Sequence, residues 1–268
     1  MIIQARTLPE YLESLQSQGR YWFLKAEAIE TLKLSSSSFI NASNRLVAKG
    51  KLTRVHSDFY VIVPPEHRAF ASLPASWFIH HLMAKIDQPY YVGLLTAAGL
   101  HGAAHQQAMA FQIITTKAMR RIVAGRVRIQ FYNKKSIEPD YYQDIKTASG
   151  IMHVSTPEMT AFDLVRYSHA AGEMQHVATV LLELAEKIDP EVLLSYLKKG
   201  AVEAATAQRL FYLLETLKPT MDLGPLEAEL KLRKPVKRLL VQGGSSSTIG
   251  YNQRWKIIIN ELLEPDDL

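Results

Sequence analysis

The chain has 268 residues, of which 47% are hydrophobic and 21% are charged. This composition is typical of a globular protein and excludes a disordered chain, a collagen-like repeat and a coiled-coil rod. Because the sequence has no cysteine, it excludes disulfides, thiolate metal sites, iron–sulfur clusters and a cysteine nucleophile. The net charge of +5 is compatible with a polyanionic partner. The first residues show no signal-peptide pattern and no apolar run is long enough for a membrane span, so we expect a cytoplasmic protein without membrane contacts.

The charge is distributed unevenly along the chain. Residues 117–135 hold seven basic side chains and no acidic one, and residues 231–238 hold five basic and no acidic side chains. Residues 173–230 hold ten acidic side chains against five basic ones. A run of like charge is most often a solvated face, but a basic surface can also contact DNA. From the first run we take the following as a candidate basic surface: Lys117, Arg120, Arg121, Arg126 and Arg128.

Residues 1–64 begin with signals for helices. Thr7-Leu8-Pro9-Glu10 is typical of a helix start, with Thr as the N-cap and Pro in the first turn. The aromatic segment Tyr21–Leu24 predicts a short strand. A second helix is predicted over Lys25–Lys33, and a third begins after the run Ser35–Ser38 and ends near Lys49.

The third predicted helix is followed by a hairpin. Lys51–Val63 alternates as two strands, with a tip at Ser57-Asp58 and a stop at Pro64-Pro65. Three short helices, a strand after the first and a basic hairpin at the end form the order of a winged helix-turn-helix. The sequence therefore predicts a winged-helix domain over residues 1–64.

The third helix has one apolar and one polar side. At roughly 100° per residue, the apolar side comprises Phe39, Ala42, Ser43, Leu46 and Val47. The opposite side contains no acid and comprises Ser37, Ser38, Asn41, Asn44, Arg45 and Lys49. Asn pairs with adenine, Arg with guanine and Ser with either base, while Lys51 and Arg54 on the hairpin are placed to meet phosphates. This set predicts DNA binding; the alternative is a winged helix that contacts another protein.

The remainder of the chain predicts a mixed domain over residues 65–268. Helices are predicted over Ser76–Lys85 and Val92–His101, and strands over Phe111–Thr115, Arg126–Tyr132 and Ile151–Val154. We expect a small sheet at about 111–154 and a helical array at about 157–218, with Thr156 as the N-cap of its first helix. The remaining residues, 219–268, form a basic tail. We expect this tail to contain a basic helix, a Gly243–Ser247 loop and a strand-like segment, Trp255–Asn260. The predicted fold class is α+β and predominantly helical.

This order of segments resembles the AbiE-type antitoxins, the AbiEi family of bacterial type IV toxin–antitoxin and abortive-infection systems. Besides the N-terminal winged helix, the resemblance is carried by Tyr90–Gly102, by Ser155-Thr156-Pro157-Glu158 with Phe162-Asp163-Leu164 downstream, and by Arg254–Asn260. It covers nearly the whole chain as an order of segments and phrases, without a catalytic signature.

The resemblance implies a repressor that binds operator repeats upstream of its own operon. It also implies a C-terminal domain that neutralises a nucleotidyltransferase toxin without forming a stable complex, and it implies no enzymatic activity. By resemblance the DNA-reading residues are Ser37, Ser38, Asn41, Asn44 and Arg45. The basic surface at 117–128 serves either the DNA backbone or the antitoxin role.

Other interpretations compete with this one. Asp140, Asp144 and Lys146 are the elements of a metal-dependent nuclease site, although a turn carrying surface charge is the more ordinary interpretation. His101 and His105 are four residues apart and could share a metal, but Gly102 interrupts them. The adjacent His80-His81 pair is weaker still. We therefore expect no metal, no cofactor and no catalytic residue; a protein-interaction adaptor and a nuclease remain the alternatives.

Overall fold

The computed structural model describes residues 5–103, 108–245 and 247–263. Over these residues the chain is a mixed α/β fold whose strands form three sheets. It divides into two compact units. The first comprises Met1–Tyr91, Met109–Ile137 and Asp144–His153, and the second comprises Val92–Ala108, Glu138–Gln143 and Val154–Leu268. The predicted boundary after residue 64 falls inside the first unit and stays a prediction.

The first unit begins with helices followed by a hairpin. The elements in chain order are α1 (Leu8–Ser17), β1 (Trp22–Leu24), α2 (Lys25–Leu32), α3 (Ser36–Ala48), β2 (Leu52–Arg54) and β3 (Phe59–Ile62). The strands form an antiparallel sheet of order β1-β3-β2, in which Trp22 pairs with Val61 and Leu52 pairs with Ile62. The predicted helices, strand and hairpin of this segment are confirmed.

Aromatic rings fill the core beneath these elements. Phe23 of β1 stacks on Tyr60 of β3 with ring centroids 5.5 Å apart, and Phe39 of α3 meets the same tyrosine edge-on at 5.4 Å. All three side chains are buried, together with Leu12 of α1 and Leu46 of α3. This packing fixes which side of α3 faces inward.

The next segment supplies a helix and most of a larger sheet. The helix is α4 (Ile79–Lys85), and the strands are β4 (Tyr90–Val92), β5 (Phe111–Thr115), β6 (Ile122–Ala124), β7 (Val127–Asn133), β8 (Tyr142–Thr147) and β9 (Gly150–Ser155). The sheet has the order β6-β7-β5-β4-β9-β8. Within the first unit, β5 runs parallel to β7, and β6 and β7 form an antiparallel hairpin.

The second unit is mainly helical. Its elements are α5 (Leu94–Leu100), α6 (Pro157–Arg166), α7 (Glu173–Leu184), α8 (Pro190–Lys198), α9 (Ala204–Leu217), α10 (Gly224–Leu232), β10 (Arg238–Leu239), β11 (Gly250–Asn252) and β12 (Ile257–Ile259). The predicted N-cap at Thr156 is confirmed, because its hydroxyl accepts the Met159 N–H at 3.2 Å. Phe211 of α9 contacts the rings of Phe162 and Trp255 and joins the helices to the small sheet of order β10-β12-β11.

Several predictions for this part of the chain are wrong. The helix predicted from Val92 begins at Leu94, because Tyr90–Val92 is the β-branched and aromatic strand β4. Strands β6 and β8 were not predicted: both lie at sheet edges, where polar and exposed positions weaken the pattern. The basic run 231–238 is helical only to Leu232, since Pro235 cannot continue a helix, and it ends in strand β10.

Candidate nucleic-acid interface

Helix α3 presents its acid-free side to solvent. Its N-cap is Ser35, whose hydroxyl accepts the Ser38 N–H at 3.1 Å, and Phe39, Ser43 and Leu46 are buried against the core. The predicted interface residues on this helix are all exposed, as the sequence predicts: Ser37, Ser38, Asn41, Asn44, Arg45 and Lys49. Val47 departs from the prediction, because it lies at the edge of the core and keeps 41% of its surface exposed.

The polar side chains of α3 differ in how free they are. The Ser37 and Ser38 hydroxyls lie 3.0 and 2.8 Å from the Ser35 hydroxyl and take part in capping. Arg45 Nε donates to the Asn41 backbone carbonyl at 3.3 Å, which holds the guanidinium along the helix. The amides of Asn41 and Asn44 make no side-chain hydrogen bond within the described part of the chain. These two amides are therefore available to an external partner.

The hairpin β2–β3 places two more cations near α3. Lys51 and Arg54 are both exposed, and Arg54 Nε donates to the Ser57 carbonyl at 3.1 Å across the hairpin tip. Asp58, also exposed, is the acid of this tip, and its carbonyl accepts the Lys25 N–H at 2.9 Å. The hairpin is thus a short, self-bonded element that can bring Lys51 and Arg54 to a phosphate.

A second basic hairpin, β6–β7, belongs to the same compact unit. The candidate surface residues on it and on the preceding loop are all exposed, and none of them pairs with a carboxylate among the described residues: Lys117, Arg120, Arg121, Arg126 and Arg128. Lys134, a further basic residue of the run, is buried and does not extend this surface.

A short seam joins the two hairpins. Thr53 of β2 donates its hydroxyl hydrogen to the Ala71 carbonyl at 2.5 Å, and the Arg126 N–H donates to the Phe70 carbonyl at 2.9 Å. Gly125 lies so close to residues 70 and 71 that a Cβ on it would stand 2.5 Å from both carbonyl oxygens. We call Thr53, Phe70, Ala71, Gly125 and Arg126 the seam. It fixes the basic β6–β7 hairpin next to the basic β2–β3 hairpin.

The opposite side of the β1-β3-β2 sheet is held by a stack of rings. Trp22 lies between Phe59, at 5.3 Å and nearly parallel, and His81 of α4, at 4.5 Å. The Arg20 guanidinium stands 4.2 Å from the Trp22 ring and pairs with Glu27 at 2.5 Å. Burial lowers the pKa of His81, which favours the neutral ring against the tryptophan.

The arrangement of the acids gives no support to a nuclease. Asp140 pairs with Lys199 in the second unit, whereas Asp144 meets His153 Nδ1 at 2.6 Å in the first. In the described ranges, no group of three or more His, Asp or Glu side chains is placed to hold a metal ion. His101 is buried and its Nε2 lies 2.7 Å from the Ser155 carbonyl, a packing role; its predicted partner His105 lies outside the described residues.

Comparison with known proteins identifies the class of the chain. Residues 91–216 match the family model of the AbiEi antitoxin C-terminal domain. The resemblance is confirmed over this region, which matches a domain of the AbiEi antitoxins, a family whose members are generally non-enzymatic. The matching domain supports an antitoxin role in a toxin–antitoxin system. No curated protein sequence matches the chain. Across the described part of the chain, no helix is long and apolar enough to cross a membrane.

The fold has a counterpart among solved structures. The crystal structure of the RV2827C protein from Mycobacterium tuberculosis matches 95% of this chain and 93% of that chain, with a TM-score of 0.67 and 14% sequence identity. At this identity the similarity concerns the fold alone. It covers both compact units, whereas the family match begins only at residue 91.

Sequence reasoning did not find the seam. The signal that could have indicated it is Ala124-Gly125-Arg126, a glycine between two β-branched segments, which is typical of a hairpin turn. Residues 70 and 71, which Gly125 contacts, are more than fifty positions away in the chain, and no local pattern predicts such a pairing.

Proposed function

We propose that this protein is an AbiEi-family antitoxin that binds duplex DNA through a winged helix at residues 1–64 and represses its own operon. We further propose that it counteracts a nucleotidyltransferase toxin without forming a stable complex with it. In this interpretation α3 lies in the major groove and the β2–β3 hairpin is the wing.

The observation that carries the DNA-binding proposal is the exposed, acid-free side of α3. Asn41 and Asn44, whose amides have no side-chain partner among the described residues, stand beside Arg45 on a helix whose other side is fixed by the aromatic core. An exposed helix face without a single acid is suited to a polyanion, and Asn and Arg match the edges of adenine and guanine. The order α1-β1-α2-α3-β2-β3 with the sheet β1-β3-β2 supports a winged helix.

The basic β6–β7 hairpin supports a longer DNA contact. It belongs to the same compact unit as α3, and the seam attaches it to the wing strand β2. Its exposed arginines can therefore reach phosphates beyond those touched by the wing. Of the two roles that the sequence leaves open for this surface, we propose contact with the DNA backbone.

The antitoxin half of the proposal rests on the family match. The matched region, 91–216, includes α5 to α8, all but the last residue of α9, and strands β5 to β9. The nature of the toxin and the absence of a stable complex come from the family resemblance. The antitoxin role is tested by co-expressing the protein with the toxin, and we expect growth to be rescued. The absence of a stable complex is tested by size-exclusion chromatography of the two proteins mixed, which we expect to elute separately.

The DNA-binding half is tested by fluorescence anisotropy. A labelled fragment from immediately upstream of the operon is titrated beside a scrambled duplex at two salt concentrations. We expect at least about tenfold tighter binding to the upstream fragment, roughly 1.4 kcal/mol, and a log–log salt slope of about −4 to −6 for the winged helix alone. Equal binding to both duplexes would contradict the repressor. Binding to neither would favour the protein-interaction adaptor.

A further inference from the structure

The exposed side of α3 divides into two strips. Residues spaced three or four apart lie on one line of a helix. One line, which we call the polar strip, comprises Ser38, Asn41, Arg45 and Lys49. The other, which we call the mixed strip, comprises Ser37, Ile40, Asn44 and Val47. Only the mixed strip carries apolar side chains.

The apolar residues of the mixed strip are only partly covered by the core. Ile40 keeps 42% and Val47 keeps 41% of its surface exposed, while Phe39 and Leu46 on the inner side are buried. Ile and Val are β-branched and lower helix propensity, so helix formation does not favour them at exposed positions either. Their placement is therefore suited to an external contact that offers apolar groups.

The major groove offers one such group. Thymine alone presents a methyl, at C5, while adenine presents N7 and the N6 amino group that an Asn amide can bind together. Ile40 and Asn44 lie one turn apart on the same line, with Ser37 beyond them toward the N-terminus. Residues near the N-terminus of a recognition helix are those that contact base edges, which distinguishes Ile40 from Val47 in the last turn.

We propose that the mixed strip reads A·T pairs, with Ile40 packed on a thymine methyl and Asn44 bound to a neighbouring adenine. The inference rests on the proposed DNA binding and adds its base preference. In the polar strip, Arg45 binds guanine, Asn41 contacts a base edge and Lys49 takes a phosphate. Binding sites for this protein then contain an A·T-rich step opposite the first turns of α3.

The test removes the methyl groups from the DNA and leaves the protein intact. The upstream fragment is amplified once with thymidine and once with deoxyuridine in its place, and the affinity of each duplex is measured by anisotropy competition. We expect the unmodified protein to bind the uracil duplex at least about fourfold more weakly, the value for one buried methyl group. Ile40→Ala should bind the thymine duplex more weakly by a similar factor and show no further loss on uracil.

Val47→Ala is the matched control, because Val47 has the same exposure on the same strip. It should keep the full discrimination between thymine and uracil. A parallel duplex built with 7-deazaadenine lacks the N7 acceptor. The unmodified protein should bind this duplex more weakly, and the loss should be smaller in Asn44→Ala. Unchanged melting temperatures show that the variants are folded.

The outcomes separate two failures. Equal affinity of the unmodified protein for thymine and uracil duplexes, or an undiminished uracil effect in Ile40→Ala, overturns the proposed A·T preference while DNA binding stands. If the unmodified protein does not distinguish the upstream fragment from the scrambled one, the proposed repressor function fails and the A·T preference fails with it.

Discussion

The substitution Gly125→Ala tests whether the seam holds the two basic hairpins together. Gly125 has φ of +59°, in the left-handed region, and its missing side chain leaves room for the Phe70 and Ala71 carbonyls. A Cβ built at this position would stand 2.5 Å from both oxygens, which are backbone atoms and cannot rotate away. The hairpin turn must therefore move, and the Arg126 N–H must leave the Phe70 carbonyl.

The expected cost has two parts. An L-residue in the left-handed region costs about 1–2 kcal/mol, and forcing a methyl group into a filled space costs about 1–3 kcal/mol. We expect Gly125→Ala to lower the free energy of unfolding of the first unit by about 2–5 kcal/mol. Gly19→Ala is the matched control: φ is +73° and nothing lies within 4 Å of its added Cβ, so only the first part applies.

The assay is urea unfolding followed by tryptophan fluorescence in a Trp255→Phe background, which leaves Trp22 and Trp77, both in the first unit. Hydrogen exchange of the Arg126 amide reports the seam directly and should accelerate in Gly125→Ala but not in Gly19→Ala. Equal decreases of stability in the two alanine variants would refute the steric argument. Retained protection of the Arg126 amide in Gly125→Ala would contradict the predicted loss of its hydrogen bond, and an unprotected Arg126 amide in the unmodified protein would refute the seam itself.

Three further results are expected. Burial lowers the pKa of His101, so just below pH 6.5 the unfolded chain binds more protons than the folded chain. The free energy of unfolding is therefore highest above pH 6.5 and falls as the pH drops through the folded pKa. In urea titrations, the free energy of unfolding of His101→Gln should depend less on pH than that of the unmodified protein. The double variant Arg120→Ala/Arg121→Ala should make the salt slope of DNA binding shallower by about 0.9 for each phosphate that these two arginines neutralise, and an unchanged slope would remove them from the interface. Asn41→Ala should cost about 1–3 kcal/mol on the upstream fragment alone, whereas Lys51→Ala should weaken upstream and scrambled DNA about equally; an equal effect of Asn41→Ala on both duplexes would contradict base reading.

Local signals predicted the helices well because their ends carry capping residues. Thr7, Ser35 and Thr156 each accept the backbone N–H expected of an N-cap, and the helices begin directly after them. The exposure of the polar residues of α3 followed from the helical period, because the aromatic core covers the opposite side of that helix. These are short-range effects, and a single sequence is sufficient to predict them.

Edge strands and long-range contacts could not be predicted in the same way. Strand β8 reads Tyr-Gln-Asp-Ile-Lys-Thr and lies at the end of its sheet, where one side of the backbone has no neighbouring strand to impose burial. Asp140 and Asp144 are close in the sequence but belong to different compact units. Asp140 pairs with Lys199 within the second unit, and Asp144 pairs with His153 within the first. Ile40 and Val47 could be placed on the helix, but their exposure depends on how far the core reaches around α3.

Variants at the seam can separate what charge and position contribute to the proposed DNA binding. Removing arginines from the β6–β7 hairpin takes away counterion release, so both the affinity and the salt slope should fall. Gly125→Ala keeps every cation but moves the β6–β7 hairpin relative to strand β2, because the new Cβ would clash with the Phe70 and Ala71 carbonyls. If both hairpins contact one duplex at a fixed spacing, this variant should bind DNA more weakly at low salt even where it remains folded, whereas Gly19→Ala should not. If Gly125→Ala binds DNA as the unmodified protein does, the hairpins act independently and the seam serves only the stability of the fold.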